Sequence, residues 1–159
     1  MKPDIRYYLF LLLLLSAGML RAQHTDTLAI ARAIDSLLEQ NLKCIKEKKW
    51  EDAFRFVDEA NARIPSNHSG LHTLRGRVLF SRARTFHLSG RPLDAISYYQ
   101  KALDVKSAGW CAHPNYTNAL NNLAVLYSTL GQFEKAEPLQ IQNKEIIEKK
   151  IRKDAPRKA

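Results

Sequence analysis

Five histidines, two cysteines and a scatter of carboxylates are the side chains of this sequence that could do covalent or acid–base chemistry. Catalysis needs a nucleophile, a base and oxyanion donors that converge in one pocket. His24, His68, His72, His87 and His113 fall in no recognised motif, and His113 stands directly before Pro114 in a connector. Cys44 and Cys111 lie 67 positions apart, and two cysteines with scattered histidines do not make a metal site. Neither a glycine-rich phosphate loop nor a paired-carboxylate arrangement is present. The sequence therefore predicts a non-enzyme with no catalytic residues, no cofactor and no metal. Asn67-His68-Ser69 and Asn115-Tyr116-Thr117 fit the glycosylation acceptor pattern, a weak signal by itself.

Internal repetition governs the scaffold. The dipeptides Asp52-Ala53, Asp94-Ala95 and Lys135-Ala136 align, with their alanines 42 and then 41 positions apart. Stepping back from each alanine gives Trp50, Pro92 and Phe133, then Lys48, Gly90 and Gly131, then Cys44, Phe86 and Tyr127, and last Leu37, Leu79 and Leu120. Each unit reads as two helices about a tight turn. Leu28, Ala31, Ile34, Leu38, Leu42 and Ile45 form one apolar stripe at helical period, and Trp50, Ala53, Phe54, Val57 and Ala60 the next. Leu74, Val78, Leu79, Arg82, Ala83 and Phe86 precede Gly90, which can take positive φ and end a helix. Pro92 then opens a helix with Ala95, Ile96, Tyr99, Ala102 and Leu103 inward. Pro114 opens another, with Tyr116, Leu120, Leu123, Ala124 and Tyr127 inward, and Phe133, Ala136, Leu139, Ile146 and Ile147 continue the pattern beyond Gly131. The small residues Ala53, Ala95 and Ala136 mark close helix crossings, with Ala83 and Ala124 on the partner helices. Strand alternation and Asn-Gly turns are absent. The prediction is an all-α solenoid of about three stacked helix-turn-helix hairpins, roughly the minimum such arrays need to bury their apolar faces.

Residues 1–22 stand apart. Lys2 and Arg6 precede the apolar run Tyr7 to Leu15, small residues Ser16, Ala17 and Gly18 follow, and the polar chain begins at Gln23. This is the layout of a secretory signal peptide cleaved near Ala22. The alternative is a retained anchor, against which the stretch Tyr7 to Leu20 falls short of the ~20 residues a spanning helix needs. The expected location is exported, periplasmic or extracellular, with no transmembrane segment once the leader is gone. Export would permit a disulfide, yet Cys44 falls inside a helix pair where a small buried hydrophobe fits better. The formal charge is +9, which favours acidic partners or anionic surfaces, but no nucleic-acid motif accompanies it.

His113-Pro114-Asn115-Tyr116 with Leu120-Asn121-Asn122-Leu123-Ala124-Val125-Leu126-Tyr127, then Gly131-Gln132-Phe133-Glu134-Lys135-Ala136-Glu137-Pro138-Leu139, resembles the tetratricopeptide repeat (TPR) in its longer, kinesin-light-chain-like form of exported bacterial type. The resemblance is specific over Pro114 to Lys149, moderate over Leu74 to Val105 and weak but in register over Leu37 to Pro65. It divides the chain into a leader, 1–22, and a TPR domain, 23–159, with repeats over about 28–65, 70–106 and 114–152 and a basic tail, 153–159. Gln140 and Asn143, and Gln40 and Asn41, depart from the family's apolar or small residues and are expected to weaken the hairpin interiors. The resemblance implies a right-handed superhelix whose concave face, lined by each unit's first helix, binds a polypeptide.

Carried onto this sequence, the groove positions are Arg77, Phe80, Arg84 and His87, then Asn118, Asn121, Asn122 and Val125, with Asp35, Leu38 and Leu42 from the first unit. Asn offers a donor and an acceptor to a peptide backbone, and Arg can fork onto a carboxylate. Asn121 and Asn122 could equally bond helix to helix, and Arg77 and Arg84 could simply be solvated. Charge reversal of Arg77 and Arg84 is then expected to weaken capture with little effect on melting. The leading function is a non-catalytic scaffold for a protein or peptide partner, acidic groups included, with self-association left open. One alternative is a regulatory or sensing fragment whose caspase-like protease domain lies on a longer or neighbouring chain. Another is a cationic envelope-surface binder using Lys149, Lys150, Arg152, Lys153, Arg157 and Lys158, whose bland reading is the solvated end of a capping helix.

Overall fold

The computed structural model of the chain describes residues 5–65, 71–105 and 107–154, with side chains from residue 26 to residue 153. Its described residues form seven helices: α1 (Ile5–Lys46), α2 (Trp50–Ala62), α3 (His72–Leu88), α4 (Pro92–Leu103), α5 (Ala108–Cys111), α6 (Pro114–Thr129) and α7 (Phe133–Asp154). The closest packing is within α1–α2, α3–α4 and α6–α7, and successive hairpins touch through α2–α3, α1–α3, α4–α6 and α3–α6. The three hairpins thus stack in sequence order, and the fold is an all-α solenoid. The helix α1 runs unbroken past Ala22, where the leader was expected to end. The leader's side chains, Asn67-His68-Ser69 and residues 155–159 lie outside the described residues.

Each hairpin turns by the same device. Lys48, Gly90 and Gly131, aligned by the repeat, all take positive φ, at 56°, 80° and 72°. The next backbone N–H in each case reaches back over the turn. Lys49 N donates to Cys44 O at 2.9 Å, Arg91 N to Phe86 O at 2.9 Å and Gln132 N to Tyr127 O at 2.8 Å. These bonds, with those from Lys48 N to Ile45 O, Gly90 N to His87 O and Gly131 N to Ser128 O, close the last carbonyls of each helix. Lys48 does this without the conformational freedom of glycine, so its left-handed backbone carries strain.

The alanine positions behave as the repeat predicts. Ala53, Ala83, Ala95, Ala124 and Ala136 are all buried, and large side chains fill the wedges around them. Two stripes differ from their expected composition. On α1 the buried residues are Ile34, Leu37, Asn41, Cys44 and Ile45, while Leu28 is exposed and Leu38 and Leu42 are half-buried. Apolarity alone misplaced the stripe because Asn41 belongs in it. Its Nδ2 donates to Ala53 O at 2.8 Å and to Thr85 Oγ1 at 3.0 Å, tying α1 to α2 and α3. Asn41 therefore rivets two hairpins, where a weakened interior was expected. On α7, Ala136 is buried but Phe133 is 67% exposed and Ile147 44% exposed, since no described helix packs beyond that face.

Trp110 is the largest of several buried residues that fell outside the repeat pattern. Trp110, on the short α5 between the second and third hairpins, is fully buried. Its Nε1 donates to Ala102 O at 2.7 Å, and its ring lies against His113 and Tyr116. Gly76 of α3 makes room for it: a Cβ there would lie 2.3 Å from Trp110 Cδ2. The connector is thus a plug that fixes the spacing of α3, α4 and α6.

Candidate functional site

The first helices of the hairpins, α1, α3 and α6, bring six of the expected groove residues to one cleft of about 410 Å³. Asp35, Leu38, Glu39, Asn41 and Leu42 supply one wall, and Arg77, Phe80, Ser81 and Arg84 the other, with Asn115 of α6 at the end, so the cleft carries carboxylates as well as guanidinium groups. The spacing of 35, 38 and 42, and of 77, 80 and 84, is one helical face on each side. Phe80 is 4% exposed and packs on Tyr99, so it is floor and not the solvent-facing groove residue that was expected. Being central, α3 is covered by neighbours on nearly every side.

The two arginines of this cleft differ. Arg77 Nη1 lies 2.6 Å from Asp35 Oδ1, an ion pair between the first and second hairpins. That oxygen and Arg77 Nε have no well-angled hydrogen bond, so the pair is held by charge more than by direction. Arg77 is therefore neither simply solvated nor free for a partner. Arg84 pairs with no carboxylate among the described residues, and its charge favours the ionised form of the Tyr99 phenol. Burial pushes the Tyr99 phenol up to about 12, despite the hydrogen bond from Asn122 and the nearby Arg84 cation.

The third hairpin extends the cleft along α6. Asn118, Asn121 and Val125 are exposed on it, Val125 at 47%. Asn122 instead turns inward, and its Nδ2 donates to Tyr99 Oη at 3.0 Å. The helix-to-helix role thus holds for Asn122, while Asn121 is left facing solvent. His87 is half-buried with its ring edge-on to Tyr99, and burial lowers its imidazole below the usual range. It supports the floor beside Phe80.

His113 is not spare chemistry. It caps α6, its Nδ1 accepting from Asn115 N at 3.1 Å. Burial first, and then the Arg77 cation, hold its imidazole below the usual range, against an opposing pull from Asp35. Cys44 is buried and Cys111 exposed, and both are free thiols. Among the described residues no three His, Cys, Asp or Glu side chains gather where they could hold a metal ion, and no helix is long and apolar enough to cross a membrane.

Sequence reasoning missed Asn115, although its spacing of three to Asn118 placed it on the same face. It also missed Trp110 and Gly76, whose signal was available only as a large aromatic in a connector. A family model for the tetratricopeptide repeat matches residues 117–151, which is most of α6 and α7. The match coincides with the unit whose resemblance was most specific. No curated protein matches the chain.

Proposed function

We propose that this chain is a non-catalytic scaffold that holds a polypeptide segment in the cleft between α1 and α3 and along the exposed face of α6. The observation that carries the reading is the cleft's composition. Leu38, Leu42 and Phe80 give it an apolar base, and Arg84 brings a cation with no carboxylate partner among the described residues. Asn115, Asn118 and Asn121 continue it with amides that can pair with a peptide backbone. A tetratricopeptide repeat over residues 117–151 agrees with such a role, because repeat arrays of this kind serve as protein-binding surfaces. An acidic group on the partner, set against Arg84, completes the proposal, as does action outside the cytoplasm, which rests on the leader pattern of residues 1–22.

The test is capture of a partner from envelope extract, followed by titration of the identified partner against variants. Arg77→Glu is a poor probe because it sets a carboxylate against Asp35. Arg84→Glu and Asn121→Ala change groups without that liability. We expect Arg84→Glu to weaken binding at least about tenfold, consistent with loss of a charge-assisted contact and gain of repulsion. Melting should stay near wild type. Binding indifferent to Arg84→Glu and to Leu42→Asp would remove the cleft assignment.

A further inference from the structure

A second groove lies at the opposite end of the array from α1, and it is distinct from the cleft above. The helix α7 has 22 residues and its hairpin partner α6 has 16, so α7 overhangs the start of α6 by about six residues, or about 9 Å of helix. Beneath the overhang, Ala112, His113, Pro114 and Thr117 form one wall, and the last turns of α7 form the other. The space between them is about 580 Å³. Its α7 wall is built from Ile146, Ile147 and Ile151, the last 63% exposed. Ile147 and Ile151 stand one turn apart on the same face, the spacing at which one helix receives the apolar stripe of another.

The rim is of one sign. Lys149, Lys150 and Lys153 border the groove, and no carboxylate among the described residues lines it. Glu148 of the same helix is taken up by Lys144 and Arg152. None of the three rim lysines has an ion pair among the described residues. We infer that this groove, walled by α5–α6 and the α7 overhang, docks an amphipathic helix of another protein that carries an apolar stripe flanked by Asp or Glu. The apolar base takes the stripe and the three ammonium groups take the acidic flanks. A recess between two walls admits a rod-shaped helix more readily than the plane of a lipid bilayer.

The probe is a pair of synthetic, dye-labelled amphipathic helices with the same leucine stripe, one flanked by Glu and one by Lys, titrated by anisotropy against the full chain. The Glu-flanked helix should bind at least about tenfold tighter at low salt, the gap narrowing as salt rises. Lys149→Glu with Lys150→Glu and Lys153→Glu should invert that preference. Ile147→Asp with Ile151→Asp should abolish binding of both helices while the far-ultraviolet dichroism stays unchanged. Three results would overturn the inference: equal affinity for the two helices, binding of phosphatidylglycerol vesicles with no binding of either helix, or a self-associated chain that Ile147→Asp with Ile151→Asp dissociates. The vesicle result would point to a lipid surface, and the last to a second copy.

Discussion

Replacing Gly76 by alanine tests whether the α5 connector is a structural plug. Inside a helix, alanine is favoured over glycine by about 1 kcal/mol, so propensity alone predicts stabilisation. The structure predicts the reverse. The new Cβ would lie 2.3, 2.6 and 2.7 Å from Trp110 Cδ2, Cε2 and Cγ, against an optimum of about 3.5–4.0 Å for carbon pairs. The ring is fully buried, it packs against His113 and Tyr116, and its Nε1 is bonded to Ala102 O, so a shift would break those contacts. Overpacking of this kind costs about 1–3 kcal/mol, and loss of the indole hydrogen bond adds about 1 kcal/mol. After the propensity gain, a net loss of about 1–3 kcal/mol remains, or about 2–12 °C in Tm for a chain of this size. Thermal melting followed by circular dichroism gives the first reading. Trp110 emission in a Trp50→Phe background gives the second, and it should shift to the red as the ring leaves the core. Trp110→Leu alone should cost about 3 kcal/mol, but the two changes together should cost at least about 1 kcal/mol less than their sum. A Gly76→Ala protein that melts at or above the wild-type temperature, with unchanged emission, would refute the plug.

Two further outcomes follow from the turns and the buried titratable groups. Lys48→Gly should raise stability by about 1 kcal/mol, because glycine holds the φ of 56° without the Cβ clash that lysine suffers there; chemical denaturation measures it, and a fall in midpoint would count against the turn assignment. Stability should be greatest between about pH 7 and pH 10. His87 and His113 sit below their usual range when folded, so the unfolded chain binds protons first and stability drops as pH falls through about 6.5. Tyr99 is held up to about 12, so the unfolded chain loses its proton first and stability drops as pH rises past about 10. Tyr99→Phe should flatten the alkaline limb, and denaturant midpoints across the pH range check both arms.

Much of the architecture was legible because it repeats. The alanines, the second-helix starts at Trp50, Pro92 and Phe133 and the turn residues recur at nearly fixed spacing, and local backbone chemistry at those positions has the same outcome in each hairpin. Even Lys48, a poor residue for its role, was placed correctly by register alone. The walls of the cleft were legible only through the family resemblance, which implied positions 35, 38 and 42, and 77, 80 and 84, as groove residues.

What the sequence could not decide is how those faces meet. Asn41 looked like a flaw in an apolar stripe, and its partners Ala53 O and Thr85 Oγ1 come from other helices. Arg77 and Arg84 have the same chemistry, yet only one finds a carboxylate across the hairpin boundary. Asn121 and Asn122 are neighbours that the helix turns about 100° apart, one to solvent and one to Tyr99. Trp110 matters because Gly76, 34 positions earlier, vacates the space its ring fills. The chain by itself determined the helices, their order and their turns, because these depend on neighbours a few residues away. Partnership, burial and the opening of both grooves were decided by tertiary packing, because each depends on atoms brought together from distant parts of the chain.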